Sequence, residues 1–344
     1  MINMQRNRLH ITLFVLLAVL SLVVAFGDLL LGTTSIPLSE VWAVLVGNSE
    51  NANYIKIITE LRLPKIIVAL LSGMALSASG LQMQTMFRNP LAGPYVLGIN
   101  SGASLGVALF TLALPMLGGL SGTMFMRLGI TGVAWIGSAA VLMLVMALSR
   151  KIKSVSTILI IGMMLGSAIS AIVGVLQYMG SEESLKTFVV WTMGSLSTVT
   201  MADIAIFAPI IIVGLVLGIV AIKSLNMLLL GEGYARTMGL NVRRSRTIIF
   251  LSTTLLAGTV TAFCGPIGFI GLAMPHLARM TFRTADHRVL MPATILWGAL
   301  SMLLCCLVTD LVAHHSMILP VNTITALLGV PIIIFVVMRN RNRQ

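Results

Sequence analysis

The chain has 344 residues, of which 58% are hydrophobic and 9% charged, and its mean hydropathy is +1.03. Soluble domains carry about 25% charged residues, so this composition excludes an ordinary soluble core and points to a polytopic membrane protein. The net charge of +12 would suggest nucleic acid in a soluble chain; here it fits basic inner loops instead, and no nucleic-acid partner is expected. The apolar runs are continuous rather than alternating, which favours an all-α fold over a transmembrane barrel.

Arg6 and Arg8 precede an apolar run from Leu9 to Leu31. It exceeds the roughly 7–15-residue core of a signal peptide and reads as the first membrane helix, N-terminus inside. Residues 32–61, with Pro37, Glu40, Glu50 and Glu60, read as an outer loop carrying a short helix near Leu38 to Val46. The second span runs over about 63–86, and Arg88-Asn89-Pro90 stops it. Further spans are expected over 93–114, 124–148, 155–179 and 200–222, with a short surface helix reaching Trp191 before the last of these. The seventh covers 247–264 and breaks at Gly265-Pro266, a shorter eighth reaches Phe282, and the ninth and tenth cover 289–310 and 320–338.

Ten spans put both termini on one side. With the N-terminus inside, the inner segments hold 17 of the 22 Lys and Arg and only Glu232 and Asp286 of the ten acids, the bias expected of inner loops. Spans two to five (62–179) and seven to ten (246–338) are each four helices, each opened by a basic residue and each containing a proline break. One set starts outside and the other inside. Inverted repeats of this kind commonly frame transport pathways, here within a single transmembrane domain over residues 1–344, with a loop at 223–246.

Small residues recur every fourth position at Gly98, Gly102 and Gly106, and again at Gly162, Gly166, Ser170 and Gly174. Such ridges let helices approach closely and would also line a wide pore smoothly; both readings stand. Gln82 and Gln84 either bond across helices or face a water-filled cavity, and, two apart, they cannot share a face. With Asn89, Gly166, Ser170, Pro275 and His276 they are the candidate lining of a translocation pathway. Asp28 and Asp310, near the ends of spans one and nine, are the only deep acids, whereas ion-driven carriers place acids along the route. Cys264, Cys305 and Cys306 lack metal-ligand spacing and read as buried small residues, with no metal expected.

No G-x-x-x-x-G-K-[ST], G-x-S-x-G or H-E-x-x-H occurs, so the chain neither holds ATP by a P-loop nor carries a recognisable hydrolase site. It is not expected to be an enzyme. An intramembrane enzyme built on His276 or on His314-His315 would need a second catalytic group, and none is evident.

The most polar long interruption is residues 227–246, M-L-L-L-G-E-G-Y-A-R-T-M-G-L-N-V-R-R-S-R, between two bilayer-length runs. It must stand outside the lipid, where a soluble partner reaches it. Gly231-Glu232-Gly233 can cap a short helix from about Tyr234 to Met238, stopped at Gly239, and Glu232 suits that helix's dipole. Arg243, Arg244 and Arg246 are expected at the anionic inner surface. On these residues alone an ordinary basic loop is the alternative.

Several motifs occur in order: L-R-L-P-K at 61–65, R-N-P-L-A-G-P at 88–94, L-G-I-N-S-G-A at 97–103, W-T-M-G-S-L at 191–196 and L-G-E-G-Y-A-R-T-M-G-L at 230–240. G-P-I-G-F-I-G-L-A-M-P-H-L-A-R follows at 265–279, A-D-H-R at 285–288 and L-P-V-N-T-I-T-A-L-L-G-V-P at 319–331. With these, nearly the whole chain resembles the iron-siderophore, haem and vitamin B12 permease family (FecCD-type) of type II ABC importers.

The resemblance implies a permease subunit in a bacterial inner membrane, with both termini cytoplasmic. It implies a pair of permease subunits (homo- or heterodimer), two ATP-binding-cassette ATPase subunits beneath that carry the ATP and Mg, and an extracytoplasmic binding protein; no cofactor belongs to this chain. Gly231, Glu232, Ala235, Arg236 and Gly239 would form the ATPase-coupling helix, and Arg62 and Lys65 would dock the binding protein. The sequence departs from the family at Ile318 and Asn322, where Glu and Gly are frequent. At His314 the vitamin B12 permease carries an arginine, so a third docking charge there would be pH-dependent. A secondary transporter driven by an ion gradient is the alternative class.

Overall fold

The computed structural model describes residues 2–32, 34, 36–114, 123–149, 152, 154–313 and 319–341. These residues form fourteen α-helices and no strand. They are α1 (Ile2–Leu30), α2 (Leu38–Val46), α3 (Ala52–Met86), α4 (Ile99–Ala113), α5 (Thr123–Ser149), α6 (Val155–Met179) and α7 (Glu182–Thr192), then α8 (Met201–Val220), α9 (Ile222–Leu229), α10 (Glu232–Thr237), α11 (Val242–Cys264), α12 (Ile270–Phe282), α13 (His287–Ala313) and α14 (Val321–Arg341).

All ten predicted spans coincide with helices. Among the described residues, seven helices are long and apolar enough to cross a membrane: Arg8–Leu30, Ala52–Met86, Gly129–Leu148, Ser156–Met179, Met201–Val220, Val242–Cys264 and His287–Val312. The third, eighth and tenth spans are shorter than the ~20 apolar residues a bilayer needs: the apolar helix Ile99–Ala113, the 13-residue α12, and the apolar part of α14, Val321–Val336. The third is short because Pro94–Leu97 form a 3-10 turn and Gly98 takes a left-handed φ of +77° before α4 begins. Exposed side chains such as Leu22, Val23 and Val216 coat the helices, the surface that a lipid solvent requires and water penalises.

Local chemistry explains most boundaries. The second span starts earlier than its first apolar residue suggests, because Asn51 accepts hydrogen bonds from the Asn53 and Tyr54 amides and caps α3 at Ala52. Lys56 and Glu60, read from the sequence as loop, and Arg62, read at the opening of the second span, therefore lie on α3, partly in a π turn over Ile57–Arg62. Ser154, Ser181 and Asn241 cap α6, α7 and α11 in the same way.

The chain forms two compact units. One comprises 1–77, 195–209 and 268–344; the other comprises 78–194 and 210–267. In the first, α13 packs on α1, α12 and α14, and α3 meets α13 so closely that a Cβ on Gly298 would lie 2.2 Å from the Gly73 carbonyl oxygen. In the second, α4 packs on α5 and α6, and α11 on α5. Gly102 and Gly106 pack directly on α5, where a Cβ on Gly102 would lie 2.4 Å from the Gly137 carbonyl oxygen. For the ridge on α4 the packing reading therefore holds.

Candidate functional site

The polar segment after α8 is built by alternating burial. In α9, Leu225 and Leu228 are buried; in α11, Val242, Ser245, Arg246, Ile249 and Phe250 are buried at helical spacing. Ser245 Oγ donates to Ser224 Oγ at 3.1 Å and ties α9 to α11. Between them the chain turns through Gly231 at φ +99° into α10, and leaves it through Gly239 at φ +83°. The exit is a Schellman motif: the Leu240 amide donates to the Ala235 carbonyl at 3.0 Å and the Gly239 amide to the Arg236 carbonyl at 2.9 Å. Both glycines hold a backbone region that L residues avoid. The helix begins at Glu232, two residues earlier than expected, because Gly231 itself makes the turn.

Glu232 is the hinge of the site. Its Oε1 accepts from Arg246 Nε at 3.0 Å and from Arg246 Nη2. Arg246 Nη1 also donates to the Ile152 carbonyl at 3.3 Å, which brings in the segment between α5 and α6. Arg236 lies 3.8 Å from the other Glu232 oxygen, an exposed i,i+4 pair of small weight. The placement of Arg246 at a lipid surface is thereby corrected: it is buried and bonded to Glu232, while Arg243 and Arg244 remain exposed. Arg88, at φ +48°, lies beside Gly231, where a Cβ would come within 3.3 Å of its guanidinium. Ala235 is fully buried and anchors α10 from below. The outer face presents Gly233, Tyr234, Arg236, Thr237 and Met238, and Tyr, Arg and Met are the residue types enriched at protein interfaces. Arg88 was not singled out from the sequence as part of this site, and Arg246 was placed at the inner surface rather than on Glu232, because contacts 143 and 14 positions away leave no periodic signal.

Residues 14–339 match the FecCD transport family. The chain belongs to that family. The hemin transport system permease protein HmuU of Yersinia pestis is 36% identical over 333 residues, 95% of this chain and 96% of that one. The vitamin B12 import system permease protein BtuC of Salmonella paratyphi A is 35% identical over 321 residues, 93% of this chain and 94% of that one. Among solved structures, an inward-facing conformation of a metal-chelate type ABC transporter superposes with a TM-score of 0.81 at 29% identity, covering 96% of this chain and 99% of that one.

The other candidate residues of this FecCD chain are dispersed. Arg62 and Lys65 are buried rather than presented outward: Arg62 donates to the Leu29 carbonyl at 2.5 Å and to the Thr34 carbonyl, and Lys65 pairs with Asp310. Their reading as exposed docking charges is corrected by that burial, since both cations already hold the ends of α1 and α13 to α3. His314 and Ile318 lie outside the described residues. Gln82 is fully buried and donates to Ser252 Oγ at 3.0 Å, so it bonds across helices rather than facing a cavity, and Gln84 is also buried. Asn89 accepts from the Leu91 amide at 2.9 Å and closes the turn after α3. Gly166 sits beside Ser101, and Ser170 is exposed on α6. Pro275 and His276, in the other compact unit, are buried in α12. Asn322, a departure from the family pattern, accepts from the Gly268 amide at 2.9 Å at the entry to α12. Asn322→Gly is expected to lower stability by about 1 kcal/mol by removing that acceptor, read as a lower melting temperature of the purified protein; an unchanged melting temperature would refute the role.

Proposed function

We propose that this chain is the permease subunit of an ABC importer that moves a metal chelate (ferric siderophore, haem or cobalamin) into the cytoplasm by alternating access. The observation that carries this reading is α10, a short helix held by the Glu232–Arg246 pair and presenting Tyr234, Arg236 and Met238 outside the apolar spans. In this reading a cytoplasmic ATPase subunit, which holds the ATP and Mg, seats α10 in a cleft and pushes it when its nucleotide sites close. Arg246 and its bond to the Ile152 carbonyl pass that push to α11 and to the start of α6. The named relatives, permeases for hemin and vitamin B12, support the substrate class.

The basic bias of the predicted inner segments supports cytoplasmic termini in a bacterial inner membrane. A second permease subunit and an extracytoplasmic binding protein complete the assembly, and the two four-helix sets over 62–179 and 246–338 act as inverted repeats around its pathway. The ion-gradient alternative draws on the buried Asp28 and the half-buried Asp310. They lie at the ends of α1 and α13 beside Lys65 rather than along a route through the spans, which favours the ATP-driven reading.

The test is uptake into proteoliposomes containing this chain with its partner ATPase and binding protein. Labelled ferric siderophore, haem and cobalamin are offered in parallel. Uptake of one of them that stops without ATP is the expected result. Uptake by this chain alone under an ion gradient would overturn the proposal.

A further inference from the structure

We infer that Asp28, Cys306 and Asp310 form a binding site for a divalent d-block cation of the Zn2+ class, joining the end of α1 to the end of α13. Each residue offers one ligand atom, and the three atoms lie within 4.8 Å of one another. Asp28 and Cys306 are 1% and 0% exposed, and Asp310 is half-buried. Neither carboxylate oxygen of Asp28 has a hydrogen-bond partner among the described residues. A carboxylate at that depth is ordinarily hydrogen-bonded, paired or bound to a metal. Neither neighbouring cation donates a hydrogen bond to Asp28: Lys65, which lies within the cluster, donates to Asp310, and Arg62 donates to the carbonyls of Leu29 and Thr34. Asp310 can keep Lys65 and still bind a metal, because a carboxylate offers about four lone-pair sites.

The ligand set selects the cation. One thiolate with two carboxylates is softer than the all-oxygen shells of Mg2+ and Ca2+, and Zn2+ accepts Cys and Asp together. Three protein ligands leave a fourth position for water. On binding, the Cys306 thiol gives its proton to solvent and its sulfur becomes a ligand. The cation also removes the repulsion between two carboxylates that face each other at low dielectric. Its structural effect is to staple α1, whose apolar span is only 11% buried, to α13. The adjacent cysteines carry no ligand spacing; the other two ligands arrive from positions 28 and 310 only on folding.

This inference is independent of the transport reading, since a stoichiometric metal without ATP-driven uptake would leave it standing. The full chain, purified in detergent and stripped with chelator, is titrated with Co2+ as a spectroscopic substitute for Zn2+. The expected result is stoichiometric binding with a thiolate-to-cobalt charge-transfer band, displaced by Zn2+. The band disappears in Cys306→Ser and persists in Cys264→Ala and Cys305→Ala. Asp28→Asn weakens Co2+ binding by more than about tenfold, the loss caused even by removing an outer partner of a ligand. Should Cys306→Ser fail to fold, the wild-type titration decides with the other two cysteine variants. No stoichiometric Co2+ in the wild type, or a band unchanged in Cys306→Ser, overturns the site.

Discussion

Glu232→Arg is expected to abolish ATP-driven uptake while the protein still inserts in the membrane, and Arg246→Met is expected to come close to it. The Glu232 and Arg246 side chains are 19% and 9% exposed, so removing either partner leaves a poorly hydrated charge. Breaking such a pair costs about 3–5 kcal/mol, more than a six-residue helix recovers by itself. The damage is local, because the apolar spans hold themselves in lipid without α10. The measurements are uptake in proteoliposomes and co-purification of the ATPase subunit, with membrane extraction as the insertion control. The double reversal Glu232→Arg with Arg246→Glu restores the pair but puts a cation at a helix start, which costs about 0.3–1 kcal/mol, so partial recovery is expected. Normal uptake by Glu232→Arg alone would sink the coupling assignment.

Gly137→Val is expected to prevent stable folding, whereas Gly174→Ala is tolerated. A Cβ on Gly137 would lie 2.1 Å from the carbonyl oxygen of Gly102. Backbone on a facing helix cannot move aside as a flexible side chain can, so the cost sits at the upper end of overpacking, about 3 kcal/mol or more. Gly174 meets nothing within 4 Å in this chain, and Gly→Ala in a helix interior stabilises by roughly 0.5–1 kcal/mol. Yield of monodisperse protein and melting temperature in detergent separate the two variants. A wild-type melting temperature for Gly137→Val would show that α4 and α5 are not in backbone contact, and the packing account of the glycine ridge would fail. A second permease packed on α6 at Gly174 would turn Gly174→Ala into a loss of uptake with unchanged stability of the single chain.

Much of the architecture was written locally. Twenty-odd consecutive apolar residues have no stable alternative to a helix in lipid, so α1, α5, α6, α8 and α13 could be placed from hydropathy alone. Gly231 and Gly239 marked α10 because few other residues take positive φ. The length of α3 was less visible: Lys56 and Glu60 look like loop until Asn51 is seen capping a helix that carries them beyond the apolar run.

Side-chain pairings were another matter. Glu232 with Arg246, Arg88 beside Gly231, Lys65 with Asp310, and Asp28 facing Cys306 join residues separated by turns and whole spans. No periodicity encodes such a distance, and a basic residue near a span end reads as a surface charge until its neighbours are known. The sequence by itself determined the membrane class, the helices and the exposed polar segment after α8, because bilayer burial and backbone hydrogen bonding act through consecutive residues. Only the tertiary structure decided which charges are spent inside the protein and which face a partner, because that depends on helices meeting end to end across hundreds of residues.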